Sequence, residues 1–280
     1  MKSKKLRILI VTVTRNDPEG LNRTLKSITS VKGLHYSSIL LKDGSNNDQN
    51  EKILSKYTNL PIQKIDERDI SIFNAMNICI DYSIRNLIEY DYCVFMNSGD
   101  EFICGEETLS VIEGLQDVDL IIGASNVMFP DGGGAQYPSI KKVKSDSDYL
   151  KWLSDYNPVH QSVWFSSRIF SKYACKYDED FKIQADTKLI ISMMRKVVYK
   201  YIPHELSNFY ADGYSSNYKS SDKVVRQAVE QFFIERNLKG LPLFKCIKST
   251  LKFYLKFLLW KFGSESLARK VHHLYIKILK

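Results

Sequence analysis

LRILIVTVTRNDPEGLNRTLKSI, residues 6–28, contains the first unit of the fold. Leu6 to Val13 is an unbroken β-branched and aliphatic run. A strand with one wet face alternates apolar and polar residues, so this run predicts a strand covered on both faces. The polar break Thr14-Arg15-Asn16-Asp17-Pro18 ends it, and Leu21, Leu25 and Ile28 then recur at helical spacing. The stretch reads as strand, loop, helix.

Moving outward, the unit repeats. Ser38 to Leu41 predicts a second strand, ending in Lys42-Asp43-Gly44-Ser45-Asn46-Asn47-Asp48 and followed by a short helix near residues 49–57. Ile62 to Ile65 predicts a third strand, Phe73, Met76, Ile80, Ile84 and Leu87 mark one face of a long helix, and Tyr92 to Met96 predicts a fourth strand. Asp119 to Gly123 predicts a fifth. Strands alternating with helices imply an α/β fold, a mostly parallel central sheet with helices on both faces.

In such sheets the ligand crevice lies beyond the carboxyl ends of the strands. Four polar clusters fall there: Thr14-Arg15-Asn16, Asp43-Gly44-Ser45, Asp66 to Asp69, and Asn97 to Asp100 in VFMNSGDEF, residues 94–102. No GxGxxG follows the first strand and no GxxxxGK[ST] occurs anywhere, so a bound nucleotide is expected to be held by side chains. Asp131-Gly132-Gly133-Gly134 reads as a turn.

The composition, 44% hydrophobic and 26% charged over 280 residues, is that of a globular chain with room for a sizeable core. Five scattered cysteines with no CxxC pair speak against a disulfide framework or a zinc site. No apolar run approaches the ~20 residues needed to span a bilayer, and the N-terminus lacks a secretory signal, so a cytoplasmic protein is expected. The net charge of +8 is uneven: ten Lys or Arg and one acidic residue lie between Lys239 and Lys280, leaving the rest near neutral. Lys245, Lys248, Lys252 and Lys256 form one helical stripe, and Ile247, Leu251, Tyr254, Leu255 and Leu258 another. Such a helix can lie in the headgroup region of an anionic membrane or pack on the body with its lysines in water. No nucleic-acid-reading motif accompanies it.

Four ordered stretches, VTVTRND (11–17), LKDGSNNDQN (41–50), DERDISIFNAMNICI (66–80) and FMNSGDEF (95–102), resemble the inverting family 2 glycosyltransferases of the GT-A nucleotide-sugar-binding fold, in the branch that builds bacterial surface polysaccharides. NPVHQSVWFSSRIF (157–170), YDEDFKIQADTKL (177–189) and FYADGYSS (209–216) extend the resemblance less tightly, to about residue 216. It implies a catalytic domain over 1–216 and a C-terminal helical region over 217–280, basic and amphipathic from about 239.

The implied chemistry is transfer of a sugar from a nucleotide-sugar donor, UDP-linked, to a lipid-linked saccharide at the inner face of the cell membrane. The resemblance puts Thr14, Asn16, Asp43, Gly44, Ser45, Arg68, Asp69 and Asn97 on the donor and His160 and Gln161 on the acceptor side. Asp100 is then the ligand of Mg²⁺ or Mn²⁺, which such sites use to offset charge on a departing diphosphate, and Asp186 is the base. Each has a plainer reading beside it: Asp100 and Asp43 as turn residues, Asp186 as a helix N-cap, His160 and Trp164 as core, Asn74 as a local cap. Glu101 is expected to be solvated. Relatives often carry two or three carboxylates where Asn97 and Gly99 flank Asp100 here. A catalytically inert nucleotide-sugar-binding or scaffold subunit is therefore the alternative; a sugar nucleotidyltransferase would show a glycine-rich basic loop after the first strand.

Overall fold

The computed structural model describes residues 6–31, 35–46, 48–115, 117–129, 132–211 and 221–262. Asn47, Asp131, loop residues 212–216 and the tail beyond Phe262 lie outside them, as do the side chains of Lys252, Phe253, Tyr254, Leu255, Lys256, Phe257 and Trp260.

The expected first half is present. Strands β1 (Arg7–Thr14), β2 (His35–Asp43), β3 (Ile62–Lys64) and β4 (Tyr92–Phe95) pair in parallel in the order β3-β2-β1-β4. Helices α1 (Pro18–Ser30), α2 (Gln49–Leu54) and α3 (Ile72–Arg85) connect them. Asp17 starts α1, its side chain accepting the Gly20 N–H at 3.0 Å ahead of Pro18 in the first turn, and Ser71 caps α3 through the Asn74 N–H at 3.1 Å.

The second half departs from simple alternation. Beyond β4 the sheet continues through β8 (Val163–Ser166), β6 (Leu120–Met128), β9 (Tyr199–Tyr210) and β5 (Glu101–Phe102), with β7 (Gly134–Tyr137) beside β6. Here only β6 and β9 run parallel; the β4–β8, β8–β6, β6–β7 and β5–β9 pairs are antiparallel. The sheet is parallel where the sequence alternates strand and helix and mixed where short strands return on themselves. Helices α4 (Glu106–Glu113), α5 (Asp146–Leu153), α6 (Ser167–Ser171), α7 (Ala185–Met194), α8 (Ser221–Phe233) and α9 (Leu243–Phe262) complete the chain.

The unbroken apolar runs are explained by two separate cores. Leu9, Val11, Leu40, Cys93 and Phe95 face a layer built with α3 and α7; Ile8, Ile10, Ile39, Leu41, Val94 and Met96 face one built with α1 and α4. Each strand residue is buried, alternately to one side and the other. Because β1, β2 and β4 end together, with Thr14 opposite Asp43, their loops share one edge.

Candidate functional site

Three strand-end loops interlock at that edge. Gly44 donates its N–H to the Thr14 carbonyl at 2.9 Å, and Asn16, left-handed at φ 52°, donates its N–H to the Ser45 hydroxyl at 2.7 Å. Asp43 is held at both oxygens, by the Ser45 N–H at 2.9 Å and by the amide of buried Asn50 at 2.9 Å, which also donates to Ser45 Oγ at 3.0 Å. Gly44 sits in a close space: a Cβ on it would stand 3.3 Å from both Arg15 Nε and Asp69 Oδ2, so those side chains would have to give by a few tenths of an ångström.

Asp69 is brought to this edge by a residue that sequence reasoning passed over. Lys42, at the end of β2, is buried and its ammonium lies 3.0 Å from Asp69 Oδ2. A lysine two residues before Gly44 looks like an ordinary solvent-facing residue, and only the fold reveals it as the counter-ion. Arg68 stays exposed next to it.

The fourth loop, Asn97 to Asp100, is fastened to α1. Thr24 Oγ1 lies 3.1 Å from the Asn97 carbonyl and 2.7 Å from the Asp100 carbonyl, and accepts the Gly99 N–H at 3.1 Å. Arg23 donates to the Gly99 carbonyl at 3.1 Å with its guanidinium 4.2 Å from the Tyr210 ring centre, and Ser98 donates to Asp17 at 2.8 Å. Gly99 takes a φ of 100°, a left-handed value that glycine adopts without steric cost.

Asp100, 5% exposed, accepts the Gln161 amide at 2.7 Å on Oδ2 and the Tyr210 N–H at 3.0 Å on Oδ1. In the same turn Asn97 Oδ1 is buried without a hydrogen-bond partner, as is Thr14 Oγ1 at the end of β1. Among the described residues no group of three His, Cys, Asp or Glu side chains gathers around one point. One carboxylate and one unpartnered amide oxygen still fit Mg²⁺ or Mn²⁺, since Mg²⁺ typically takes one or two carboxylates and fills its remaining positions with water and phosphate oxygens.

Several expectations are corrected. Glu101 is not simply solvated: it accepts from Asn208 at 2.7 Å and the Tyr210 hydroxyl at 3.0 Å. His160 does not line an open pocket. It is 3% exposed, stacked on Phe95 with centroids 5.2 Å apart and hydrogen-bonded to the Tyr177 hydroxyl at 2.6 Å, and burial lowers its pKa to about 3, so the ring is a neutral core element. Gln161, also buried, reaches the edge only through Asp100. Trp164 is fully buried against Phe102 and offers no face to a sugar.

Asp186 lies in the first turn of α7, which packs on the 3-10 turn His160–Ser162 that carries Gln161. It is not the cap; Gln184 holds that position. Its Oδ1 accepts the neighbouring Thr187 N–H at 2.7 Å, and it is only partly exposed. Desolvation raises its pKa to about 6, opposed by the backbone N–H bonds it accepts and reinforced by the negative charge of Glu230. The neighbouring carboxylates are committed elsewhere. Asp178 is paired with Lys188, whose hydrogen bond lowers its pKa, and Glu179 accepts from Asn74 at 3.1 Å and Asn77 at 2.9 Å, so those asparagines tie α3 to the segment before α7.

No family model matches the chain. An uncharacterised glycosyltransferase of Methanocaldococcus jannaschii is 27% identical over 180 residues, 61% of this chain and 59% of that protein, so the matched stretch spans about three-fifths of the relative. The fold is similar to that of S. aureus TarS residues 1–349, with a TM-score of 0.57 at 14% identity over 92% of this chain and 73% of that one. The same fragment has been solved with UDP-GlcNAc, at a TM-score of 0.56, 14% identity and coverage of 92% and 74%. A mannosyltransferase of Pyrobaculum calidifontis in complex with GDP-Man and Mn²⁺ matches at a TM-score of 0.57, 13% identity, 99% of this chain and 82% of that one. The chain is thus similar in sequence to one glycosyltransferase and shares the GT-A-like fold of others.

Proposed function

We propose that the chain is an inverting glycosyltransferase of bacterial surface-polysaccharide synthesis (O-antigen, capsule or exopolysaccharide), moving a hexosyl or N-acetylhexosaminyl group from a UDP-linked donor to a lipid-linked saccharide. The observation that carries this reading is the pairing of one sheet edge bearing Asp43, Asp69 and Asp100 with a separate carboxyl, Asp186, raised to about 6. A general base works best with a pKa near the operating pH. The nucleotide-sugar complexes of TarS and the mannosyltransferase support the donor class.

In this reading Asp43 accepts from the base edge, Gly44 and Ser45 let the backbone close on it, Asp69, Asn16 and Thr14 Oγ1 receive ribose or sugar hydroxyls, and Asn97 lies on the donor through its amide oxygen and the metal. Asp100 with Asn97 would hold Mg²⁺ or Mn²⁺, which when bound offsets the charge of the departing diphosphate; Arg68 adds to that. Gln161 orients the Asp100 carboxylate. Ionised Asp186 takes the proton of the acceptor hydroxyl, whose oxygen bonds to the anomeric carbon from the face opposite the diphosphate as the anomeric C–O bond breaks.

Among the described residues no helix is long and apolar enough to cross a membrane. Exposed Leu243, Phe244, Ile247, Leu251 and Leu258 lie along α9 beside exposed Lys245 and Lys248. This pattern supports peripheral attachment to the anionic inner face of the membrane from the cytoplasm, where a lipid-linked acceptor sits; no nucleic-acid partner is proposed.

The test is a screen of nucleotide sugars for nucleoside diphosphate release, with membrane extract as acceptor, with and without Mn²⁺ and chelator. Release by the wild type, lost in Asp186→Asn and suppressed by chelator, is the expected result. The thin acidic set around Asp100 favours a second reading, an inert donor-binding scaffold. UDP binding without turnover on every donor and extract would establish that reading and overturn the first.

A further inference from the structure

The segment entering the helix that carries Asp186 is held by a residue from a distant part of the chain. The first N–H groups of an α-helix have no partner within it and must find one. Gln184, at the cap position of α7, makes no side-chain cap bond. Glu230 of α8, 6% exposed, holds the segment that leads into the helix and reaches one of those groups: its carboxylate accepts the N–H groups of Lys182 at 2.7 Å, Ile183 at 3.1 Å and, at the cap position, Gln184 at 2.8 Å.

The surroundings fix the same junction. The Gln184 amide donates to the Gln227 carbonyl on α8 at 3.0 Å, and Asn157 donates both to Gln184 at 3.1 Å and to Gln231 on α8 at 2.8 Å. Asn157 is itself held by half-buried Lys239, 2.9 Å from its Oδ1, just beyond the π-helical turn Ile234–Leu238 that ends α8. Asp186 begins two residues after this clamp, so its direction is inherited from a turn that α8 holds.

We propose that Glu230 is the positioning residue of the transfer reaction, a buried anchor delivered from α8 that fixes the segment entering α7, up to its cap residue Gln184, and so aims the Asp186 carboxylate at the acceptor hydroxyl. The inference rests on Asp186 acting as the base. Glu230 has a second effect through its charge, which opposes ionisation of Asp186 and keeps the carboxyl a stronger proton acceptor. The buried Tyr177 hydroxyl, in the segment ahead of α7, also feels the charge of Asp186, while Lys188 on α7 is engaged by Asp178.

The experiment uses the full chain with three substitutions, Asp186→Asn, Glu230→Gln and Glu230→Ala. Two readouts are taken: turnover with the donor and extract found by the screen, and the Asp186 titration followed by carboxyl ¹³C NMR on aspartate-labelled protein. Glu230→Gln keeps an acceptor oxygen but removes the charge, so the Asp186 titration and the acid limb of the rate profile should both move to lower pH. Glu230→Ala leaves three N–H groups without that acceptor, and kcat should fall about 10- to 100-fold through misalignment, with the donor KM within about twofold. Where the alanine variant fails to fold, the titration in Glu230→Gln decides. An unmoved titration in Glu230→Gln, or wild-type kcat in Glu230→Ala with Asp186→Asn inactive, overturns the role of Glu230 alone. Full activity in Asp186→Asn overturns the assignment of the base instead.

Discussion

On the strand-end rim, Thr14, Asn16, Asp43, Gly44 and Ser45 hold one another through bonds within two loops, and the buried counter-ion of Asp69 is Lys42, at the end of the adjoining strand. Around Asp100 and Asp186 nothing is local. Asp100 is set by Gln161 and Tyr210, and the segment entering the helix of Asp186 is held by Glu230, more than forty residues along the chain. The rim is made by strand ends that any parallel sheet would bring together; this second group, the wall, is set only once the antiparallel strands and α8 have docked. Substitutions on the rim should therefore cost stability and donor affinity, and substitutions on the wall should cost turnover.

The largest effect expected is on the wall. Asp186→Asn should lower kcat by about 10²–10⁴-fold with UDP affinity unchanged, and wild-type transfer should rise with pH through about 6 as the base ionises. The same substitution should raise Tm at pH 8. A carboxyl whose folded pKa is raised gives stability that is fully present below the unfolded value, 3.8, and is lost as pH rises through about 6, whereas asparagine escapes that loss. The gain should vanish by about pH 4 in scanning calorimetry; a uniform gain at all pH values would sink the assignment.

Next comes Lys42→Met, which leaves Asp69 without its buried partner. It should cost about 3–5 kcal/mol in denaturant unfolding, with most recovered in the Lys42→Met, Asp69→Leu double variant. If unfolding stability stayed put while kcat fell, the division between rim and wall would fail. A smaller loss is expected for Gln161→Leu, about 10- to 100-fold in Mn²⁺ affinity by calorimetry with UDP present, because the residue only orients Asp100. The smallest is Ser45→Ala, about 1 kcal/mol, from hydrogen bonds made within the rim itself.

The same division explains what could be read from the chain. Leu6 to Val13, the periodicity of α1 and α3, and the polar strand ends are local patterns, and the edge they predict is present. The candidate rim residues were therefore legible as a group, though Lys42 was not. β9 was invisible because His204 and Glu205 interrupt its alternation, and β8 is only four residues long. His160 looked like a site residue and is core, since no linear pattern announces that Phe95 and Tyr177 will enclose it. Glu230 carries no signal at all: a glutamate on a polar helix becomes an anchor only by docking.

The two-sided sheet has a consequence for how such a molecule diversifies. The layer with α1 covers one face of the sheet and the layer with α3 and α7, which carries Asp186, covers the other; the turn at Asp100 is held from both, by Thr24 of α1 and by Gln161 beside α7. Changes more than about 7–10 Å apart with no shared neighbour combine additively. One layer can thus drift while the other keeps its packing. The architecture separates two inheritances within one chain, so a change in the α3 and α7 layer need not be stabilised by the layer with α1.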